Sequence, residues 1–375
     1  MAQFSTPEYT WSKTVVDRDT VRNVMDILDP MDTPVLNYFG LNGANKFNFT
    51  NEPGIKLIWP NDKYRQLTGQ VGGATMADDA TTLALNTDTS AVLKIGDVVQ
   101  VGSEKMWVSD VTSTAGSYTV ERGWGATIAT DHAASAAVTI IGTARLEGAE
   151  VDFGPLETPT TDYNYTVILE ESLKMTRNAA KKVQWGIADE WQYQLDKKMP
   201  ELLRALEFKF FHGERVELSS TVAADTGGFG TFITTNTLST ARTALTIDHL
   251  QNIMLSCHLA GGNPDIMIAH PSTILTLTNL YQTSSYLYVE RTEDTVGMVI
   301  KFVETPWGRL RLLDGRHVPE GDLWFIQSEY VGVYEYDPFF WQEISPTGDW
   351  MAREVIGEYG IVVRNPDAHA YINLT

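Results

Sequence analysis

Seven apolar residues, Ile187, Trp191, Leu195, Met199, Leu202, Leu206 and Phe210, follow one another at steps of four or three. That spacing places all of them on one stripe of an α-helix. The stripe alone would run roughly 36 Å at about 1.5 Å per residue, and the helix is expected over about 187–212. A rod of that length in a chain that otherwise reads as strand and turn is a mechanical member first, because the rest of the fold must supply an apolar bed along it. Pro200 falls inside the rod and removes the hydrogen bond to the Asp196 carbonyl. The stripe keeps its phase across that position, so a kink rather than a break is expected.

A chain of 375 residues with 43% hydrophobic and 20% charged content has the length and composition for a large core and more than one domain. Its net charge of −20 argues against sequence-independent binding to nucleic acid, which needs Lys and Arg to displace counterions. The same charge suits a wall that confines DNA without adhering to it. Cys257 is the single cysteine, so no intrachain disulfide can form. No apolar run reaches the roughly 18 residues of a membrane helix. The first residues lack the basic start and apolar stretch of a secretion signal, so synthesis in the cytoplasm is expected.

Breakers at Pro30, Pro34, Gly40 and Gly43 divide residues 1–45 into short patches, read as an arm with little core of its own. From Lys46 the segments FNFT and IKLIWP alternate apolar and polar residues, as a long exposed hairpin arm would. Thr81 to Thr143 is rich in Thr, Ala, Val and Gly and has only three basic residues, Lys94, Lys105 and Arg122. VLKIGDVVQVG, KMWVSDV, SYTVERG and AAVTII read there as strands of a small antiparallel β module, inserted where a loop tip tolerates it. After Gly213 the pattern becomes mixed α/β. Thr246 is placed to cap one helix and Pro271 to open another.

No catalytic or metal constellation emerges. The seven histidines are scattered, without ligand spacing. Asp131-His132 reads as a solvated loop pair, and His270 lacks a companion nucleophile or carboxylate. Gly227-Gly228-Phe229-Gly230 lacks the Lys-Ser/Thr of a phosphate loop and reads as a flexible turn. Cys257 reads as a small buried hydrophobe.

Two surface features stand out instead. Lys174, Arg177, Lys181 and Lys182 cluster just before the long helix. They read either as a solvated face, as such runs usually are, or as a patch whose counterpart is the acidic segment carrying Glu147, Glu150, Asp152 and Glu157 on a neighbouring copy. Exposed pairs contribute about 0–1 kcal/mol each and would set register more than affinity. In Asp337-Pro338-Phe339-Phe340-Trp341, a turn-like segment with three rings in succession, Phe339, Phe340 and Trp341 are candidates for a contact between copies.

The order of parts resembles the major capsid proteins of tailed bacteriophages, the fold family named for phage Hong Kong 97. Asp32-Thr33-Pro34-Val35 with Gly40 looks like the family's arm motif, and Trp59 with Asp62 looks like the Trp-x-x-Asp of one subfamily's hairpin. Gly186, Asp189-Glu190, Glu201-Leu202, Glu207 and Gly213 match the spine segment in order. The ending TGDWMAREVIGEYGIVVRNPDAHAYI is similar to that subfamily's closing strands. The resemblance implies an α+β, Hong Kong 97-like capsid fold with a small all-β insertion in the extended loop. Its parts would be an N-terminal arm (1–45), an extended loop (46–163) carrying the β module at about 81–143, and a peripheral domain with the spine helix (164–237). An axial domain (238–338) and C-terminal strands returning to the core (339–375) complete it.

The function implied is a major capsid protein that self-assembles as hexamers and pentamers into an icosahedral shell around double-stranded DNA. It would be made in the host cytoplasm and end in the virion. The implied partners are further copies of itself, a separate scaffolding protein, a portal and decoration or minor capsid proteins. Packaged DNA would be touched only weakly and no membrane at all. No enzyme activity, cofactor or metal is implied. The alternative is a β-rich virion adhesin or tail protein that uses the 81–143 module to bind a receptor.

Overall fold

The computed structural model describes residues 33–40, 54–73, 75–86, 92–111, 116–149, 159–181, 189–239, 245–283 and 301–374. It divides into two compact units, Met1–Trp59 with Asp162–Thr375, and Pro60–Thr161.

The first unit is organised by the long helix, Glu190–His212. Asp189 caps it, its carboxylate accepting from the backbone N–H groups of Trp191 and Gln192. The helix continues through Pro200 as one element. Leu195, Leu202, Leu206 and Phe210 are buried, Trp191 and Met199 are half-buried, and Ile187 lies outside the described residues. Leu202, Leu206 and Phe210 pack with Val167, Leu169, Val355 and Tyr359, which come from a three-stranded antiparallel sheet. That sheet orders the strands Val331–Ile344, Trp350–Val363 and Val167–Thr176.

Two buried groups that the apolar stripe does not include fix the helix to the chain around it. Glu207 has no exposed surface and receives the backbone N–H of Leu36 at 3.1 Å. Leu36 lies in the first turn of the short helix Pro34–Phe39, whose own N-cap, Thr33, makes no side-chain cap bond. The carboxylate of the long helix therefore caps the short one from 171 residues away. Val35, Leu36 and Phe39 are buried in the main core as a result, so this stretch of the arm is core.

Gly227-Gly228 is likewise a packed crossing rather than a flexible turn. A Cβ on Gly228 would meet the carbonyl oxygens of Lys209 and Phe210 at 2.4 and 2.5 Å, so only glycine lets this backbone touch the end of the helix. The buried Asn164 side chain closes the junction. Its amide nitrogen donates to Thr226 Oγ1, Gly227 O and Ile361 O, and its oxygen accepts from the N–H groups of Gly227 and Tyr165. Strand Lys56–Asn61 alternates exposed and buried residues, and its Leu57 and Trp59 enter the same core. It is anchored there rather than forming an exposed arm.

A mixed six-stranded sheet forms the rest of the unit, in the order Thr237–Ser239, Ala370–Asn373, Asp322–Ile326, Ile266–Ala269, Gly308–Asp314, Phe302–Thr305. Its central strands are buried on both faces, and the period of two sorts their side chains between two cores. Ile266, Ile268, Trp324 and Ile326 join the core of the long helix. Met267, Ala269, Leu323 and Phe325 join a second core with Leu250, Met254 and Leu277, from helices Ile247–Leu259 and Pro271–Thr283. Thr246 caps the first of these through His249 N–H at 3.2 Å. Cys257 is buried in this core, and burial pushes its thiol up to about 12.

The second unit is a six-stranded antiparallel sheet, Thr68–Gln70, Ala137–Thr143, Asp97–Val101, Glu104–Val111, Ser117–Glu121 and Thr82–Ala84 in spatial order. A bridge between Val71 and Leu85 joins its outermost strands, so the sheet closes into a small barrel. Leu83, Leu93, Val99, Met106, Val108 and Val120 fill it. Residues 92–96, expected as strand, form the entry to it.

Two measurements test this account. Leu206→Ala removes a side chain with no exposed surface and should cost about 3 kcal/mol in chemical denaturation. The second concerns His369, fully buried, with Nδ1 accepting from Gln327 N–H and Nε2 donating to the Arg364 carbonyl. Burial lowers its pKa to about 4, against 6.5 for an unperturbed histidine. The unfolded chain therefore binds the extra proton first. Stability present above pH 6.5 should fall by about 3 kcal/mol as the pH drops towards 4. In His369→Gln that decline should largely vanish, at the expense of stability at pH 7.

Candidate functional site

Charged and apolar side chains gather at three exposed places, each set by the element that carries it. The first is the end of the barrel formed by residues 75–81 and 122–135. Five donors converge there on the buried carboxylate of Glu104. Arg122 Nε and Nη2 approach at 2.7 and 2.9 Å, the N–H groups of Gly123 and Thr130 at 3.2 and 3.0 Å, and His132 Nε2 at 2.9 Å. A carboxylate only accepts, so His132 donates from Nε2. Burial raises the Glu104 pKa, but the bonds from Arg122, Thr130, His132 and Gly123 outweigh it and hold the carboxyl down at about 2.

Arg122 also donates to the carbonyls of Ala77, Ala80 and Thr130, so one ion pair fixes both loops. Asp131-His132 is part of this cluster rather than a solvated pair. His132 is buried and its backbone bridges Met76, while Asp131 accepts the N–H of Asp78 at 2.8 Å. The loop stays in a demanding conformation, with Ala126 and Ser135 both at φ 66. It presents Trp124, stacked on Trp107 at 5.6 Å, and Ile128, which is 80% exposed. Asp78 and Asp131 are exposed acids near Arg122, and Glu121 pairs across the ladder with Trp107.

At the opposite end of the barrel the buried Asp97 accepts from Arg65, from Lys94 N–H and from Thr143 Oγ1. Glu147 is exposed beyond it, and Glu150, Asp152 and Glu157 lie outside the described residues.

The second place is the three-stranded sheet. Asp337–Trp341 is not a turn but lies within the strand Val331–Ile344, which also runs unbroken across position 338. Pro338 cannot donate to the ladder, and the register shifts once between Glu335 and Asp337 and again between Asp337 and Phe340, across Pro338. Phe339 packs on Tyr359 at 4.7 Å, whereas Phe340 and Trp341 are exposed. At the end of the sheet Lys174 Nζ stands 4.1 Å from the ring centre of Trp350. Arg177 pairs with Asp349 at 2.8 Å, both groups remaining open to solvent. Lys181 is exposed after them, Met351 is exposed on the other face of the sheet, where it pairs with Met175, and Lys182 lies outside the described residues.

The third place is helix Pro271–Thr283, which carries no charged residue. Leu275 on it is 62% exposed. His270, just before it, pairs its Nδ1 with Ser272 Oγ at 2.7 Å, a local arrangement at the helix start. Among the described residues no group of three or more His, Cys, Asp or Glu could hold a metal. No described helix is long and apolar enough to cross a membrane.

A family model described as "SU10 major capsid protein" matches residues 5–375. No curated protein matches the chain. Among solved structures, the cyanophage A-1(L) capsid asymmetric unit aligns with a TM-score of 0.50 at 9% identity, over 62% of this chain and 84% of that one. A Mycobacterium phage Bobi chain aligns over 95% of both chains at 10% identity and a TM-score of 0.48. An encapsulin of Synechococcus elongatus aligns over 59% of this chain and 77% of that one, at 12% identity and a TM-score of 0.41. The fold is thus the α+β, Hong Kong 97-like capsid fold.

Glu104→Gln should leave the Arg122 charge buried without its counterion, a loss of about 3–5 kcal/mol. Limited proteolysis should then cut first within 122–135, a region resistant in the parent protein.

Proposed function

Because this chain belongs to the SU10 major capsid protein family, we propose that its exposed surfaces are contacts between copies in a shell of hexamers and pentamers enclosing double-stranded DNA. The chain is a major capsid protein of phage-like particles, a non-enzymatic structural protein of the virion. In this reading residues 46–163 are the extended loop, with the closed barrel as its all-β insertion. Residues 164–237 and the returning strands form the peripheral domain around the long helix, and 238–338 form the axial domain. Scaffolding, portal and decoration or minor capsid proteins are the further partners.

The observation that carries the reading is the charge-free helix Pro271–Thr283 in a chain of net charge −20. Around a rotation axis each residue meets its own copies, so any charge there is repeated at short range. An uncharged, partly apolar helix meets that condition. Phe340 and Trp341 supply apolar area for contacts between copies. The basic end of the sheet, Lys174, Arg177 and Lys181, is read as receiving acids of a neighbour. Glu147, Glu150, Asp152 and Glu157 are the first candidates for those acids.

Sedimentation with electron microscopy tests this. The parent chain should form closed shells or capsomers. Leu275→Glu should stay folded by circular dichroism yet need at least about tenfold more protein to assemble, a loss of about 1.4 kcal/mol. Unchanged assembly of that variant would remove the helix from the axis.

A further inference from the structure

We propose that the barrel face formed by strands Thr68–Gln70, Ala137–Thr143 and Asp97–Val101 meets the same face of a second copy of this chain across a two-fold axis beside Thr139. The contact goes beyond the shell reading and is separate from the helix assigned there to the axis.

The three strands are neighbours, with Ala137–Thr143 in the middle. Their alternation sorts the side chains. Gly69, Val138 and Val101 make one buried row across the ladder. Thr68, Thr139 and Gln100 make the next row, directed outwards. Thr68 and Thr139 are exposed there and Gln100 is half-buried. Gln70 and Ala137 extend the outward face on one side. Ile141, 45% exposed, extends it on the other, past the register shift. Trp107 bounds the face. It pairs with Val98 and donates from Nε1 to the Ala144 carbonyl at 2.9 Å, so its indole lies across the strand Asp97–Val101. Trp124, stacked on it, is 37% exposed.

The single charged residue in these three strands is Asp97, which is buried and taken up by Arg65. In a chain that is 20% charged, with a net charge of −20, this is a face on which like copies meet without repulsion. A two-fold axis sets the residues beside it against their own copies. Threonine hydroxyls and glutamine amides both donate and accept, so identical groups can bond one another there, whereas identical charges cannot. The short side chains of Thr68, Ala137 and Thr139 let two sheets pack face to face at about 10 Å. Ile141 and Trp124 add apolar area at the margin. The barrel has no free edge strand to offer, since Val71 and Leu85 close it, so it can join a copy only through side chains. A charged partner would find no counter-charge on this face, and a second copy brings a matching uncharged one.

The test uses the full chain, with association read by sedimentation. Thr139→Glu and Thr139→Lys, each folded as the parent is by circular dichroism, place like charges at the axis. Each alone should need about tenfold more protein to associate at low salt, and an equal mixture of the two should return to within about threefold of the parent. A mixture no better than either variant alone overturns the proposal, and so do single variants that associate as the parent does.

Contact at the axis is read separately with Thr139→Cys and a short bismaleimide. Cys257 is buried, so the parent chain is the unreactive control. Covalent dimers joined at position 139 support the two-fold contact. Particles that form without such dimers overturn it and leave the shell reading standing. A parent chain that forms no particle under any assembly condition overturns the shell reading, and dimers joined at position 139 would still uphold the contact.

Discussion

A carboxylate buried inside a helix is costly unless its charge is used. Glu207 is used to close the end of a second helix whose own sequence supplies no cap. That bond brings the stretch around Pro34 against the long helix, and with it come Val35, Leu36 and Phe39. The glycine crossing at Gly227-Gly228 and the Asn164 hub then close the other side of the same helix end. Four segments far apart in sequence thus meet within about two turns of helix. The apolar stripe gives the helix a place to lie, and these polar and steric contacts determine which segments lie on it.

The same economy governs the barrel. Its core is apolar and ordinary, but each end is tied by one buried acid, Asp97 and Glu104. A closed barrel of short strands leaves most of its length in connections, and connections have backbone groups to satisfy. Glu104 and Arg122 satisfy several at once, which is how a segment with little regular structure keeps a single conformation.

The long helix, the capping of Ile247–Leu259 by Thr246 and most barrel strands were legible because they follow from periodicity and caps, which are local. The likeness to capsid proteins was legible because its marks fall in a fixed order along most of the chain, and the family match over residues 5–375 agrees with it. What escaped was long-range. Asp131-His132 looks like loop chemistry until Glu104, 28 residues from His132, is seen to stand beside it. Gly227-Gly228 looks like slack until the helix end fills the space. Asp337-Pro338 signals a turn, and the strand absorbs it as a bulge because a long partner strand runs alongside. In each case the missing information was the identity of a distant neighbour.

The bridge from Val71 to Leu85 has a consequence for a protein present in many copies at high local concentration. An open sheet ends in strands whose free N–H and C=O groups can recruit another chain's strand. Closing the barrel removes both such strands from this unit. In the other unit the outermost strands of the six-stranded sheet are only Thr237–Ser239 and Phe302–Thr305. The long outer strands that remain belong to the three-stranded sheet, Val331–Ile344 and Val167–Thr176, so any joining of crowded copies through backbone is concentrated there.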